Sequence, residues 1–180
     1  ATTMALPESC GGDAATLVDL TLVAEEIGRS IAPVPWIDHV VTTRLLARLG
    51  AFGSDDVITR DLVGGKLLAG LDLRIGCTSG RRLISTGAIA DHVIVCDGDD
   101  VLRLTFDTPC PRIDNIGQLP MAWIDPASAD SRTVVATGPD ALEQYRLAVD
   151  EWRLLTASAL VGLVEQTLTG AVDFARTRYT

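Results

Sequence analysis

The feature that most constrains the fold is a change in hydrophobic period along the chain. Over residues 16–31 apolar side chains recur at the spacing of an amphipathic helix, and Pro33 and Pro35 stop that helix. A second helix is predicted from Trp36 to Leu49, again from the helical spacing of its apolar residues. The N-terminal part of the chain is therefore helical.

The period changes to that of strands after these two helices. The segments typical of strands are GLDLRIG (70–76), HVIVCDGDDVLRLTF (92–106), WIDPAS (123–128) and RTVVATG (132–138). The second of them contains an Asp-Gly turn, which predicts a hairpin. The helical period returns at Pro139 and predicts a short helix followed by a long one from about Asp150.

This order of elements predicts an α+β fold in three parts. They are an N-terminal helical domain over residues 1–50, a small central β-sheet or barrel domain over 51–137, and the start of a C-terminal helical bundle over 138–180. The chain begins at Ala1 and ends at Thr180 within a helical pattern. We therefore expect it to be an internal piece of a longer polypeptide.

Charge and cysteine content exclude several classes of function. The net charge of −9 disfavours a nucleic-acid partner. The four cysteines, at positions 10, 77, 96 and 110, form no closely spaced pair, so we predict no metal site. We expect reduced thiols and a cytoplasmic location. The longest apolar run, residues 154–164, is too short to span a membrane.

No set of residues predicts a reaction by spacing alone. Adjacent acids occur at Glu25–Glu26, Asp55–Asp56, Asp99–Asp100 and Asp150–Glu151, and we interpret them as solvated faces or turns. The glycines of residues 62–68 and 76–82 lack the phosphate-binding patterns and are typical of turns. The residues by themselves therefore predict an α+β protein without an assigned reaction.

Three stretches, taken together and in order, resemble the acyl-CoA dehydrogenase family. The first contains PESCGG followed by a helix with VAEEIG, and the second is GRRLISTGAIADHVIV (80–95). In the third, the last helix, Arg153 and Arg178 stand 25 residues apart with Gly162 between them. The resemblance implies a flavoprotein in which a glutamate removes the α-proton of an acyl thioester and the flavin accepts a hydride from the β-carbon.

The resemblance also implies roles for individual residues. Ser85 matches the hydroxyl residue near flavin N5, and Arg178 matches the arginine that reaches the FAD diphosphate of a neighbouring subunit. Residues 33–40 match the acyl-chain end of the substrate pocket. The residues implied to contact the acyl-CoA substrate are Asp150, Trp152, Arg153, Trp36 and His39. Each of these residues also has a purely structural interpretation.

The sequence departs from the family in three ways. The family's catalytic glutamate lies outside this chain or, in a minority, at the position of Trp152, so Glu151 is the one candidate base in reach. A flavin-binding loop before residue 80 is absent, and residues 51–79 are fewer than the family has there. An aromatic residue expected beside the flavin is replaced by Leu83.

Two functions are consistent with this pattern. The first is a subunit of an FAD-dependent acyl-CoA dehydrogenase that acts on a fatty, branched-chain or sterol side-chain thioester. Its implied partners are acyl-CoA dehydrogenase-like subunits in a homo- or hetero-tetramer and an electron-transfer flavoprotein as acceptor. The second is a non-catalytic subunit of the same kind, which completes the site of a partner.

Overall fold

A computed structural model describes residues 2–53, 57–76 and 80–178. Asp55, Asp56 and Cys77 lie outside the described residues, and so do the predictions made for them. Within the described residues no helix is long and apolar enough to cross a membrane.

Two helices form the N-terminal part, as predicted. Helix α1 spans Leu17–Ser30 and α2 spans Trp36–Arg48. A capping box fixes the start of α1, because the Thr16 hydroxyl accepts a hydrogen bond from the Asp19 N–H while the Asp19 carboxylate accepts one from the Thr16 N–H. A short 3₁₀ turn at Glu8–Cys10 precedes them.

The central part contains a helix that the periodicity did not predict. This helix, α3, spans Val57–Val63 and is followed by six strands. They are β1 (Ala69–Leu71), β2 (Arg82–Ile84), β3 (His92–Asp97), β4 (Asp100–Thr105), β5 (Ala122–Ile124) and β6 (Ser131–Thr137). The predicted hairpin is confirmed as the antiparallel pair of β3 and β4.

The strands form two small sheets. One has the order β1-β3-β4-β6, and the other pairs β2 with β5. The predicted strand over residues 70–76 is shorter than expected, since β1 ends at Leu71. Just beyond it, the Asp72 N–H still donates a hydrogen bond to the Ile94 carbonyl oxygen, and the Asp72 side chain is buried against Arg82, with Arg82 Nη1 and Asp72 Oδ2 2.8 Å apart.

The last helix, α4, runs without a break over Pro139–Thr177. The prediction of a short helix followed by a long one is therefore wrong. No proline lies within the helix beyond its first turn, and hydrogen bonding continues through Asp150. Helix α4 packs along α1, and it also contacts α2 and the larger sheet.

Helices α1 and α4 cross with their backbones in close contact. A Cβ atom added at Gly28 of α1 would lie 1.8 Å from the carbonyl oxygen of Ala159 in α4. In the reciprocal position, a Cβ atom at Gly162 of α4 would lie 1.9 Å from the carbonyl oxygen of Glu25. Only glycine fits at either position, so these two residues set the distance between the helices.

The main core lies between the helices and one face of the larger sheet. Tyr145 of α4 is fully buried there, and its hydroxyl donates a hydrogen bond to the Asp72 carbonyl oxygen. A smaller core fills the space between the two sheets. The α+β fold class predicted from the sequence is confirmed, whereas the division into three domains stays a prediction.

The C-terminal half of α4 carries apolar side chains that the described residues leave exposed. They are Leu160, Val161, Val164, Leu168 and Phe174, each more than half exposed. This set is called the apolar face of α4 below. It explains why the sequence of this helix is apolar on most of its sides.

Candidate functional site

Three segments that are far apart in sequence meet around the side chain of Asp38. Asp38 lies in the first turn of α2 and is only 8% exposed. The Ser85 hydroxyl, directly after β2, donates a hydrogen bond to Asp38 Oδ1 at 2.5 Å. The Trp152 indole N–H of α4 lies near the same carboxyl group, although its geometry falls short of a full hydrogen bond.

Burial raises the pKa of the Asp38 carboxyl above its ordinary value. The Ser85 hydroxyl and the Trp152 indole act in the opposite direction, because each favours the charged carboxylate. Burial is the largest of these effects. A buried carboxyl group with a perturbed pKa next to a cavity is typical of a functional site.

A cavity of about 360 Å³ borders this group of residues. It is lined by Ile31, Ala32, Pro33, Val34, Pro35, Asp38, Ser85, Thr86, Ile89 and residues 117–120. The structure therefore brings Ser85 together with the start of the segment 33–40, as the resemblance implies for the flavin edge and the acyl-chain pocket. We refer to this space as the Asp38 cavity.

A second, more apolar cavity of about 400 Å³ shares Val34 and Pro35 with the first. Trp36 and His39 border it, in the part of the chain for which a substrate-binding role is predicted. Its lining is almost wholly apolar apart from His39 and Thr2, which suits a hydrocarbon rather than a charged group.

Both ring nitrogens of His39 are used within the chain. Nδ1 accepts a hydrogen bond from the Ala69 N–H at 3.2 Å, and Nε2 lies 3.1 Å from the Leu62 carbonyl oxygen. Because Nδ1 accepts, Nε2 must carry the proton and the imidazole is neutral. Burial lowers the pKa of His39. The residue joins α2 to α3 and β1, which is a structural role.

Glu151, the candidate base, is occupied by two arginines of α2. Its carboxylate oxygens lie 3.2 Å from Arg44 Nε and 2.7 Å from Arg48 Nη1. The Glu151 side chain is 13% exposed. A carboxylate held between two guanidinium groups anchors α2 to α4, so this geometry favours a structural role over proton abstraction.

The other predicted contacts on α4 are separated from one another. Asp150 and Arg153 form an exposed ion pair, with Arg153 Nη1 and Asp150 Oδ1 2.8 Å apart. Arg178 follows the end of α4, and its guanidinium lies over the ring of Phe174 at 5.5 Å. Because a helix rises about 1.5 Å per residue, Arg153 and Arg178 are roughly 37 Å apart along α4. They cannot serve one site within one chain.

Within the described ranges no group of three or more His, Cys, Asp or Glu side chains is close enough to bind a metal ion. The described cysteines, Cys10, Cys96 and Cys110, are free thiols. Burial raises the pKa of both Cys96 and Cys110, which disfavours the reactive thiolate.

Asp38 is the residue of the candidate site that the sequence did not predict. It is the acidic residue of an otherwise almost wholly buried helix, between Trp36 and Val40. A carboxylate at such a position requires a partner, and this was the signal available in the sequence. The partner Ser85 is 47 residues away, so the pair itself becomes visible only in the folded chain.

Comparison with known proteins bears on the fold of the chain. No family model matches the chain. Its fold is that of the acyl-CoA dehydrogenases, so the resemblance predicted from the sequence is confirmed. Among curated proteins it is similar to the acyl-CoA dehydrogenase IpdE2 of Mycobacterium tuberculosis, with 25% identity over 178 residues. That alignment covers 99% of this chain and 50% of IpdE2, so the chain spans about half the length of this relative.

Solved structures of three proteins share the fold. The chain matches a variant of the steroid acyl-CoA dehydrogenase Tcur3481-Tcur3483 with a TM-score of 0.78 and 22% identity, over 99% of this chain and 55% of the other. The ChsE4-ChsE5 complex of Mycobacterium tuberculosis matches with a TM-score of 0.70 and 22% identity, over 99% of this chain and 55% of the other. The prolyl acyl carrier protein oxidase AnaB matches with a TM-score of 0.73 and 15% identity, over 99% of this chain and 59% of the other.

Proposed function

We propose that this chain is part of a subunit of an FAD-dependent acyl-CoA dehydrogenase, which introduces an α,β double bond into an acyl-CoA thioester. The observation that carries this proposal is the Asp38 cavity. It places Ser85, the residue implied to lie at the flavin, beside the segment implied to line the acyl-chain pocket. The sequence similarity to IpdE2 supports the same reaction class.

Two polar groups of the chain fit parts of FAD. Ser85 presents a hydroxyl oxygen at the Asp38 cavity, which suits a ring N–H of the flavin. Arg178 is exposed and forms no ion pair with a described residue, so its guanidinium is available for a diphosphate. FAD, when bound, would supply the electron acceptor for the dehydrogenation, and the chain supplies binding and orientation.

The substrate we propose has a bulky apolar acyl group, such as a steroid side chain or ring fragment. The two cavities that share Val34 and Pro35 give a wide apolar space on either side of this segment. Two of the solved structures with this fold are a steroid acyl-CoA dehydrogenase and the ChsE4-ChsE5 complex. We propose a place in lipid or steroid catabolism on this basis, in the cytoplasm.

We propose further that the working enzyme is a hetero-oligomer, and most simply a hetero-tetramer. Glu151 is held by Arg44 and Arg48, so a partner subunit must supply the catalytic base if the rest of this polypeptide lacks one. The apolar face of α4 gives a surface for association. An electron-transfer flavoprotein would reoxidise the flavin.

A second candidate function follows from the position of Trp152. This residue stands where a minority of the family carry the catalytic glutamate, and its side chain instead lies against Asp38. In this alternative the chain binds no flavin itself and completes the site of a catalytic partner.

Co-expression of the intact polypeptide with candidate partner subunits tests these proposals. Each purified sample, with and without a partner, is examined for the visible absorption bands of bound flavin and for their loss when an acyl-CoA is added. Bound flavin that an acyl-CoA bleaches supports the dehydrogenase. Flavin bound by the polypeptide without a partner contradicts the alternative, in which the chain binds no flavin itself, and a colourless sample with every partner contradicts both.

A further inference from the structure

We propose that Asp38 is a positioning residue that holds the Ser85 hydroxyl with its lone pairs toward the Asp38 cavity, so that the site prefers a ligand that donates a hydrogen bond there. For the flavin ligand this inference rests on the proposed function. The pairing of Asp38 with Ser85 does not depend on that function.

The argument begins with the single proton of the Ser85 hydroxyl. That proton is directed at Asp38 Oδ1, 2.5 Å from Ser85 Oγ. A hydroxyl group has one O–H donor and two acceptor lone pairs. With the donor used by Asp38, Ser85 can only accept a hydrogen bond from a group in the cavity.

The surroundings of Asp38 leave Ser85 as its main polar partner. On its own helix, His39 is neutral and bonded to Leu62 and Ala69. On α4, Glu151 is paired with two arginines, and on β2 Arg82 is paired with Asp72. Among the described residues no charged side chain shifts the pKa of Asp38. Burial raises this pKa, and the hydrogen bond from the Ser85 hydroxyl lowers it part of the way back.

The flavin ring makes the consequence measurable. Its N5 atom accepts a hydrogen bond when oxidised and carries a proton, which it can donate, when reduced. A Ser85 hydroxyl that only accepts therefore favours the reduced form over the oxidised form. The loss of one such hydrogen bond corresponds to a change of about tenfold in the ratio of the two affinities.

The first experiment measures that ratio in the flavin-loaded complex, from flavin reduction potentials and flavin affinity, for Asp38→Leu, Asp38→Asn and Ser85→Ala. We expect Asp38→Leu and Ser85→Ala each to lower the reduced-over-oxidised preference about tenfold. Asp38→Asn retains an acceptor oxygen for Ser85 and should keep most of the wild-type preference for reduced over oxidised flavin. Thr42→Val is the matched control, since Thr42 is buried one turn later on α2 and bonds only the Asp38 carbonyl oxygen of the helix itself.

The second experiment needs no flavin. The protonation of Asp38 is followed by NMR of ¹³C-labelled aspartate in the complex without cofactor, in the wild type and in Ser85→Ala. We expect Ser85→Ala to raise the pKa of Asp38 further, because a donor to the charged form is removed. Thr42→Val should leave it unchanged.

The outcomes separate this inference from the proposed function. An Asp38 pKa that is the same with and without the Ser85 hydroxyl overturns the pairing. A preserved pairing with equal affinity ratios for the wild type and Asp38→Leu overturns the positioning role. If the Asp38 pKa depends on the Ser85 hydroxyl in a complex that binds no flavin, the pairing is established. The same result contradicts the proposed function, and with it the flavin as the ligand.

Discussion

Replacement of Gly28 by alanine should strongly destabilise the packing of α1 on α4. The new Cβ atom would lie 1.8 Å from the carbonyl oxygen of Ala159, a backbone atom that cannot rotate away. To restore ordinary contact the helices must separate by more than about 1 Å, at a cost of about 3 kcal/mol, the upper end of the range for overpacked cores. Alanine returns about 1 kcal/mol through its higher helix propensity. The expected net loss in free energy of unfolding is about 2 kcal/mol.

Urea unfolding followed by circular dichroism measures this loss, with Gly170→Ala as the matched control. Gly170 lies within α4, on the other helix of this pair, and a Cβ atom there meets nothing within 4 Å. This control should therefore gain up to about 1 kcal/mol from helix propensity alone. Both variants replace a helical glycine by alanine, but the added methyl group has room only at Gly170.

The double variant of Gly28 and Gly162 provides a stricter test. Both glycines lie at the same crossing, so a separation of the helices that accommodates one methyl group also makes room for the other. The loss in the double variant should therefore be clearly smaller than the sum of the two single losses. Strict additivity, or a Gly28→Ala variant as stable as the wild type, would refute the close crossing.

Three further predictions concern buried polar groups. Glu151→Gln should lower the free energy of unfolding by about 2 kcal/mol, since it leaves two half-buried arginines without a counter-charge. Glu143→Gln, in an exposed ion pair, should change it by less than about 0.5 kcal/mol in the same urea unfolding assay. Tyr145→Phe should cost about 1–2 kcal/mol, because the carbonyl oxygen of Asp72 loses a buried donor, and thermal unfolding would show it. His39 has a lowered pKa in the folded chain, so below its ordinary pKa of 6.5 the unfolded chain takes up a proton that the folded chain does not. The free energy of unfolding should therefore decrease as the pH is lowered below 6.5, by at most about 1.4 kcal/mol per pH unit. His39→Gln should remove this part of the pH dependence, and a variant with the pH profile of the wild type would contradict the prediction.

The helices and the hairpin were predictable because their signals are local. The apolar period over residues 16–31, the stop at Pro33 and the Asp-Gly turn are each set by residues that are close together in the sequence. The missed helix α3 is only two turns long, which is too short for a period to appear. The predicted break near Asp150 was wrong because a change in side-chain polarity does not interrupt backbone hydrogen bonds.

The candidate site was predictable in part. Ser85 and the segment 33–40 were chosen through resemblance, and the structure places them at one cavity. Asp38 was missed because its importance comes from burial and from a partner on another element, which no local pattern encodes. Glu151 and His39 illustrate the reverse case: their residue types are typical of catalysis, but their hydrogen-bonding capacity is used to join helices.

The apolar face of α4 also bears on how a cell would handle this chain. Exposed Leu and Val side chains on a stable helix are the surface that chaperones bind and that leads to aggregation. The lifetime of a folded copy would then depend on how soon that face is covered, and not only on the free energy of unfolding. A polar residue in place of Leu168 should thus lengthen that lifetime while it weakens the association proposed for this face.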